Sequence, residues 1–150
     1  MSLQESLQND LKTAMRQRDK VRTNVLRMLK AAIRNAEIDK QQALDDAEIL
    51  AVLTKAAKQR RESIDAYRQG GREELVAAEE AELAIIEAYL PRQLGEAEIR
   101  VAVEKAIAEL EARGPGDMGR VMKYLMGQLR GQADGKVVNA IVREALAAIK

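Results

Sequence analysis

Cationic side chains recur at helical spacing in two stretches of this 150-residue chain, and phosphate recognition is the chemistry such spacing serves. Arg27, Lys30 and Arg34 stand three and four residues apart, which puts them together on one side of a helix. Toward the C-terminus Arg120, Lys123, Arg130, Lys136 and Arg143 decorate two short helices and the hinge between them. Phosphate contacts from such residues supply sequence-independent affinity for nucleic acid. A helix N-terminus near Asp134 to Lys136 adds main-chain N–H donors. These eight residues are the candidate nucleic-acid-binding set.

Other chemistry is restricted by what is missing. There is no His, Cys, Trp or Phe. A cysteine nucleophile, a thiolate or imidazole metal site and an imidazole base are therefore excluded. The hydroxyl nucleophiles are Ser2, Ser6, Ser63, Thr13, Thr23 and Thr54, and none lies in a strand-to-helix elbow or a glycine loop of the phosphate-binding type. No catalytic residue, metal or cofactor is expected. Aromatic platforms for base stacking are also scarce, since Tyr67, Tyr89 and Tyr124 are the only aromatic residues. An RNA partner would be read by its folded shape and its phosphates.

The elements that position these residues are helices throughout. Hydrophobic content of 47% with 33% charged residues, and only two prolines, describes a helical chain. No stretch reaches the roughly 18 to 20 apolar residues of a membrane span, and the N-terminus carries charges where a signal peptide has its apolar core. A cytoplasmic location is the expectation.

Ser2 and Glu5 have the capping-box pattern, with Leu3, Leu7, Leu11 and Met15 as the apolar stripe of a first helix. Val25, Leu26, Leu29, Ile33 and Ala36 define a second. Asp45 or Asp46 caps a third, whose stripe is Ile49, Leu53, Ala56, Ala57, Ile64 and Tyr67, and Gly70-Gly71 ends it. A fourth runs from about Arg72 to Leu90 and is stopped by Pro91.

Beyond the short connector Pro91 to Gly95, Ile99, Val103, Ala106, Ile107 and Leu110 form the next helical face. Gly114-Pro115-Gly116 breaks the chain, and Asp117 is placed to cap a helix lined by Val121, Met122, Leu125, Met126 and Leu129. Gly131 reads as a helix stop and Asp134 as the cap of a last helix carrying Val138, Ile141, Val142, Ala145, Leu146 and Ile149. Gly127, inside a helix, implies close packing against another backbone, and Asn139 is placed to bond the preceding turn. The expected fold is all-α, a four-helix N-terminal bundle over residues 1–91 and a three-helix tail domain over 92–150.

Charge is segregated beneath a net value of +1. Lys12 to Arg34 holds eight basic residues against the single acid Asp19, whereas Glu73 to Glu87 holds six glutamates and no base. Two readings stand. The two stretches are antiparallel neighbours, as is common in helical bundles, or the basic one is a polyanion-binding face. From Gly114 onward six basic residues, Lys150 included, face three acids.

The spacing of Met126, Gly127, Leu129, Arg130, Gly131, Ala133, Asp134, Lys136, Val138, Asn139 and Leu146 resembles the tail domain of the B subunit of glutamine-dependent aspartyl/glutamyl-tRNA amidotransferase. Arg18 to Arg22, Leu26 to Leu29, Ala32 to Ile38, Lys58 to Ile64 with Tyr67, and Tyr89 to Leu94 are similar to segments of the stand-alone members of the GatB/YqeY family. The likeness covers essentially the whole chain and lacks the amidotransferase catalytic cradle. It departs at Gly135, where amidotransferase tails often carry proline. The resemblance implies association with tRNA, or with an amidotransferase or synthetase, and the carbon-nitrogen ligase label with glutamine as amido donor that the relative carries. A helical protein-interaction adaptor using Met118, Met122 and Met126 as an apolar face is the alternative.

Overall fold

Ser2 Oγ accepts a hydrogen bond from the Glu5 main chain at 3.2 Å and opens α1 (Leu3–Arg16). Asp19 does the same for α2 (Lys20–Lys40), taking the Arg22 N–H at 3.1 Å. Asp45 and Glu48 form a reciprocal capping box on α3 (Asp46–Gln69), with N–H to carboxylate distances of 2.8 and 3.2 Å. The remaining helices are α4 (Glu73–Glu87), α5 (Glu96–Leu110), α6 (Met118–Gln128) and α7 (Gly135–Ala147), with a 3-10 turn at Pro115–Asp117. The computed structural model describes residues 1–149, and these contain no strand. Lys150, counted above among the basic residues of the tail, lies outside them. An all-α fold is thus found.

Cα packing divides the chain into two compact units, Met1–Leu90 and Pro91–Lys150. In the first, α2 packs against α1, α3 and α4, and α3 packs closely along α4. Its core gathers Leu7, Leu11 and Ala14 of α1, Val25, Leu26, Leu29 and Ile33 of α2, Ile49, Leu53 and Ala57 of α3, and Ile85 and Ile86 of α4. Each such leucine, isoleucine or valine side chain, fully buried, contributes about 1.5–3 kcal/mol. The second unit has its own core, in which Ile99 and Val103 of α5, Val121 and Leu125 of α6, and Val138, Val142 and Leu146 of α7 meet.

Four helices end in the same closure. An N–H one or two residues past the C-cap returns to a carbonyl five residues back, as from Asp19 to Ala14, Gln42 to Glu37, Arg72 to Tyr67 and Ala112 to Ile107. This closure needs one left-handed residue. Gly71 (φ 70°) supplies it after α3, but Arg18 (φ 56°), Gln41 (φ 58°) and Glu111 (φ 52°) supply it elsewhere. Helix ends lacking glycine were therefore invisible to a glycine-based reading.

Several sequence expectations are corrected. Met15 is 49% exposed, because the α1 stripe advances from Leu11 to Ala14 and leaves Met15 outside. α4 ends at Glu87, four residues before Pro91. Asp117 makes no capping bond to α6; its carboxylate accepts instead from the Arg113 main chain at 2.7 Å and from Arg120 at 3.2 Å. A Cβ at Gly127 would meet nothing within 4 Å, so no backbone packs there. Asn139 accepts from Arg143 one turn onward at 3.3 Å and makes no bond to the preceding turn.

Candidate nucleic-acid interface

The acidic helix and the basic helix pack together but share no ion pair among the described residues. α4 runs back along α3, and its glutamates meet α3 arginines: Arg60 lies 3.5 Å from Glu79 and 3.0 Å from Glu82, Arg61 3.3 Å from Glu87, and Arg68 2.8 Å from Glu80. Among the described residues, Arg27, Lys30 and Arg34 of α2 make no ion pair, nor do Lys12, Arg16, Arg18 and Lys20 before them. Arg22, which pairs with Asp19 at 3.5 Å, is the exception in the stretch. Four of the six α4 glutamates are thus paired with α3 and one, Glu74, with Arg72, while the candidate cations of α2 are left unpaired among the described residues.

On α2 the three candidates divide. Arg27 is exposed, its guanidinium 4.0 Å from Met15 Sδ. Lys30 is half-buried and donates to Gln8 of α1, while Arg34 is exposed. Lys30 and Arg34 line a groove of about 520 Å³ whose apolar floor is Leu7 and Ile33. Glu37, at the edge of that groove, is committed to the Leu44 N–H at 3.0 Å. Lys20, part of the basic stretch but outside the candidate set, precedes Arg27 by seven residues and Arg34 by fourteen, so the three follow one face for about 21 Å at 1.5 Å per residue. The signal was in the spacing.

In the second unit the five candidates are exposed but unequal. Arg120 is tied to Asp117, and Arg143 to the neutral Asn139. Lys123, Arg130 and Lys136 form no ion pair among the described residues. Glu144, the acid beside Arg143, is held by Arg100 of α5 at 3.3 Å. The α7 N-terminus is less open to an external anion than expected, because Asp134 caps it and occupies the Lys136 N–H at 3.0 Å. Gly135 opens that helix, and a Cβ there would make an ordinary 3.5 Å contact with Met126 Cε.

The turn between α6 and α7 is held from outside. Gln93 donates to Gly131 O at 2.7 Å, and the Leu94 N–H to Gln132 O at 2.8 Å. Gly131 is left-handed (φ 73°), as a helix stop requires. The connector thus acts as a brace for the hinge that carries Arg130, a role the sequence reading did not assign.

Electrostatics at the edges is local. Arg92 grips Glu98 at 3.1 and 2.6 Å, and this contact, with the Gly95 N–H, lowers the Glu98 carboxyl from 4.5 to about 2. The Arg113 main-chain N–H, and secondarily Arg120, lowers Asp117. Burial, reinforced by its hydrogen bond to Asp10, raises the Tyr89 hydroxyl. Tyr124 is raised by donating to Glu109. Tyr67, Tyr89 and Tyr124 are all half-buried, so none offers an open face for a base. Among the described residues no group of three or more acids is arranged to hold a metal ion.

Relatives are found among fungal proteins. A protein named Altered inheritance of mitochondria protein 41, mitochondrial, from Pyrenophora tritici-repentis (strain Pt-1C-BFP), is 34% identical over 146 residues, covering 95% of this chain and 80% of that one. Its namesake in Eremothecium gossypii is 40% identical over 85 residues, which is 56% of this chain and 46% of that one. The Saccharomyces cerevisiae (strain YJM789) protein of the same name is 30% identical over 126 residues, 82% of this chain and 68% of the relative.

These names correct the expected cytoplasmic location, since the relatives are designated mitochondrial. The physical reason is simple. Charge near the N-terminus, and the lack among the described residues of a helix long and apolar enough to cross a membrane, do not specify a compartment. The family model for Yqey-like protein matches residues 4–146, spanning both helical units and every candidate cation, and the chain belongs to that family.

Proposed function

We propose that this chain is an RNA-binding accessory factor that engages the folded body of tRNA through phosphate contacts and has no active site of its own. One observation carries the reading: α2 keeps an unpaired cationic face while four of the six α4 glutamates pair with arginines of α3. A bundle that needed those cations for internal balance would have paired them with its six glutamates. Unpaired cations on a helix are instead free to displace counterions from a polyanion. The resemblance of the tail to that of the amidotransferase B subunit supports tRNA as the RNA class. On this reading, carbon–nitrogen ligation with glutamine as amido donor belongs to a partner enzyme.

The adaptor reading has less support. Met118, Met122 and Met126 are partly buried and pack against the core of the second unit, so they do not form an open apolar face. The discriminating experiment is triple charge reversal, Arg27→Glu, Lys30→Glu and Arg34→Glu, followed by tRNA binding at fixed salt. Weakening by about two orders of magnitude or more supports the reading, as three phosphate contacts require. Unchanged binding, or none by the parent protein, removes it.

A further inference from the structure

We infer that the turn between α1 and α2 forms a seat for a single phosphate group, built from Arg18, Lys20, Thr23, Asn24 and Arg27 over the exposed thioether of Met15. These six residues line a cleft of about 430 Å³. Three are cations without an ion-pair partner among the described residues, and none is acidic. Asp19, the nearest acid in sequence, faces a separate depression with Arg22, Asp10 and Thr13, and its carboxylate is occupied by the Arg22 main chain and side chain.

Thr23 is the independent sign of a ligand. It is the one buried polar residue among those described, 9% exposed, and its hydroxyl makes no hydrogen bond within the chain. Other helical threonines of the first unit satisfy theirs: Thr13 donates to Asn9 O at 3.1 Å and Thr54 to Leu50 O at 2.8 Å. The unpaired oxygen keeps solvent access where Thr23 lines the cleft, so it is free to donate to an oxyanion there without breaking a bond inside the chain.

The placement of the cations has a backbone origin. Lys20, Thr23, Asn24 and Arg27 stand at i, i+3, i+4 and i+7 on α2, so they share one face across two turns. Arg18 lines the same cleft from outside α2, at the left-handed position closing α1, with its N–H on Met15 O at 3.2 Å. Planar guanidinium forks from Arg18 and Arg27, a point charge from Lys20 and neutral groups from Thr23 and Asn24 suit a tetrahedral oxyanion. The phosphate is either an internal phosphodiester of folded RNA or a free phosphate monoester. Its assignment to RNA rests on the function proposed above; the cleft itself does not.

Two substitutions test it without endangering the fold. Arg18→Gly removes the charge and relaxes a positive φ, and Thr23→Val removes a hydroxyl that bonds nothing in the chain. Amide chemical shifts of the full-length protein would be followed with inorganic phosphate, with a nucleoside 5′-monophosphate, and with folded tRNA stripped of its terminal phosphate.

The expected result is that phosphate moves the amides of Lys20, Thr23, Asn24 and Arg27, that both variants abolish this, and that both remain folded. Stripped tRNA moving the same amides, with binding about eightfold weaker at 0.1 M salt in Arg18→Gly, identifies a phosphodiester. Amides moved by inorganic phosphate and the monophosphate but not by tRNA support the seat for a monoester and count against the RNA reading alone. If tRNA binds equally to parent and variants and phosphate leaves these amides unmoved, the seat is overturned while the RNA reading stands.

Discussion

Arg60 of α3 sits between two glutamates of α4, 3.0 Å from Glu82 and 3.5 Å from Glu79. Its Nε makes no hydrogen bond to either, while its terminal nitrogen lies 2.9 Å from Met28 Sδ of α2. One side chain therefore cancels acidity on α4 and touches α2. The arrangement explains why two oppositely charged helices packed in one bundle need not pair their charges.

Arg60 and Arg68 make predictions of different size about stability. The Arg60 side chain is 15% exposed and that of Glu79 20%, so Arg60→Ala strands partly desolvated carboxylates. A loss of about 1–3 kcal/mol is expected, below the 3–5 typical of fully buried pairs. The Arg68–Glu80 pair is more than half exposed on both sides, and Arg68→Ala should cost under about 1 kcal/mol. Urea denaturation of the two variants gives the comparison.

Gly127 predicts a stabilising substitution. Its Cβ position opens on empty space, and glycine in a helix costs about 0.5–1 kcal/mol relative to alanine. Gly127→Ala should raise stability by up to that amount, measured by thermal or urea unfolding. A loss instead would mean that the glycine conformation itself is required near the end of α6.

Acid stability should depend on Glu98. Its pKa is lowered from 4.5 in the ordinary state to about 2 in the folded chain, first by Arg92 and then by the Gly95 N–H. The contribution is complete above the ordinary value and is lost as pH falls through about 2, since the unfolded chain binds the proton first. Glu98→Gln should flatten the fall in stability between about 4.5 and 2, followed by denaturation across that range. Raised salt should shrink the difference, because the pair is exposed.

Apolar periodicity made the helices legible, and Leu7, Leu26, Leu53, Val103, Leu125 and Leu146 fall in the cores where their spacing put them. The side-chain choices at helix ends were harder to read. Asp117 was a plausible cap, but the Arg113 N–H was nearer, and nothing local signals that competition. The left-handed Arg18, Gln41 and Glu111 have no sequence mark of the kind glycine gives. At the candidate site the charge of α2 was visible, whereas its lack of partners was not, because pairing across helices depends on which faces meet. Arg27, Lys30 and Arg34 were named from spacing alone; the cleft at Thr23 needed the α1–α2 turn to be built first.

The most direct measurement is affinity of the full-length protein for folded tRNA across a salt series. Each phosphate contact contributes a slope of about −0.7 to −0.9 in log K against log salt. The account predicts a slope of roughly −3 or steeper, reduced by about two units or more when Arg27, Lys30 and Arg34 are reversed to glutamate. A slope near zero, or no binding at low salt, would contradict it.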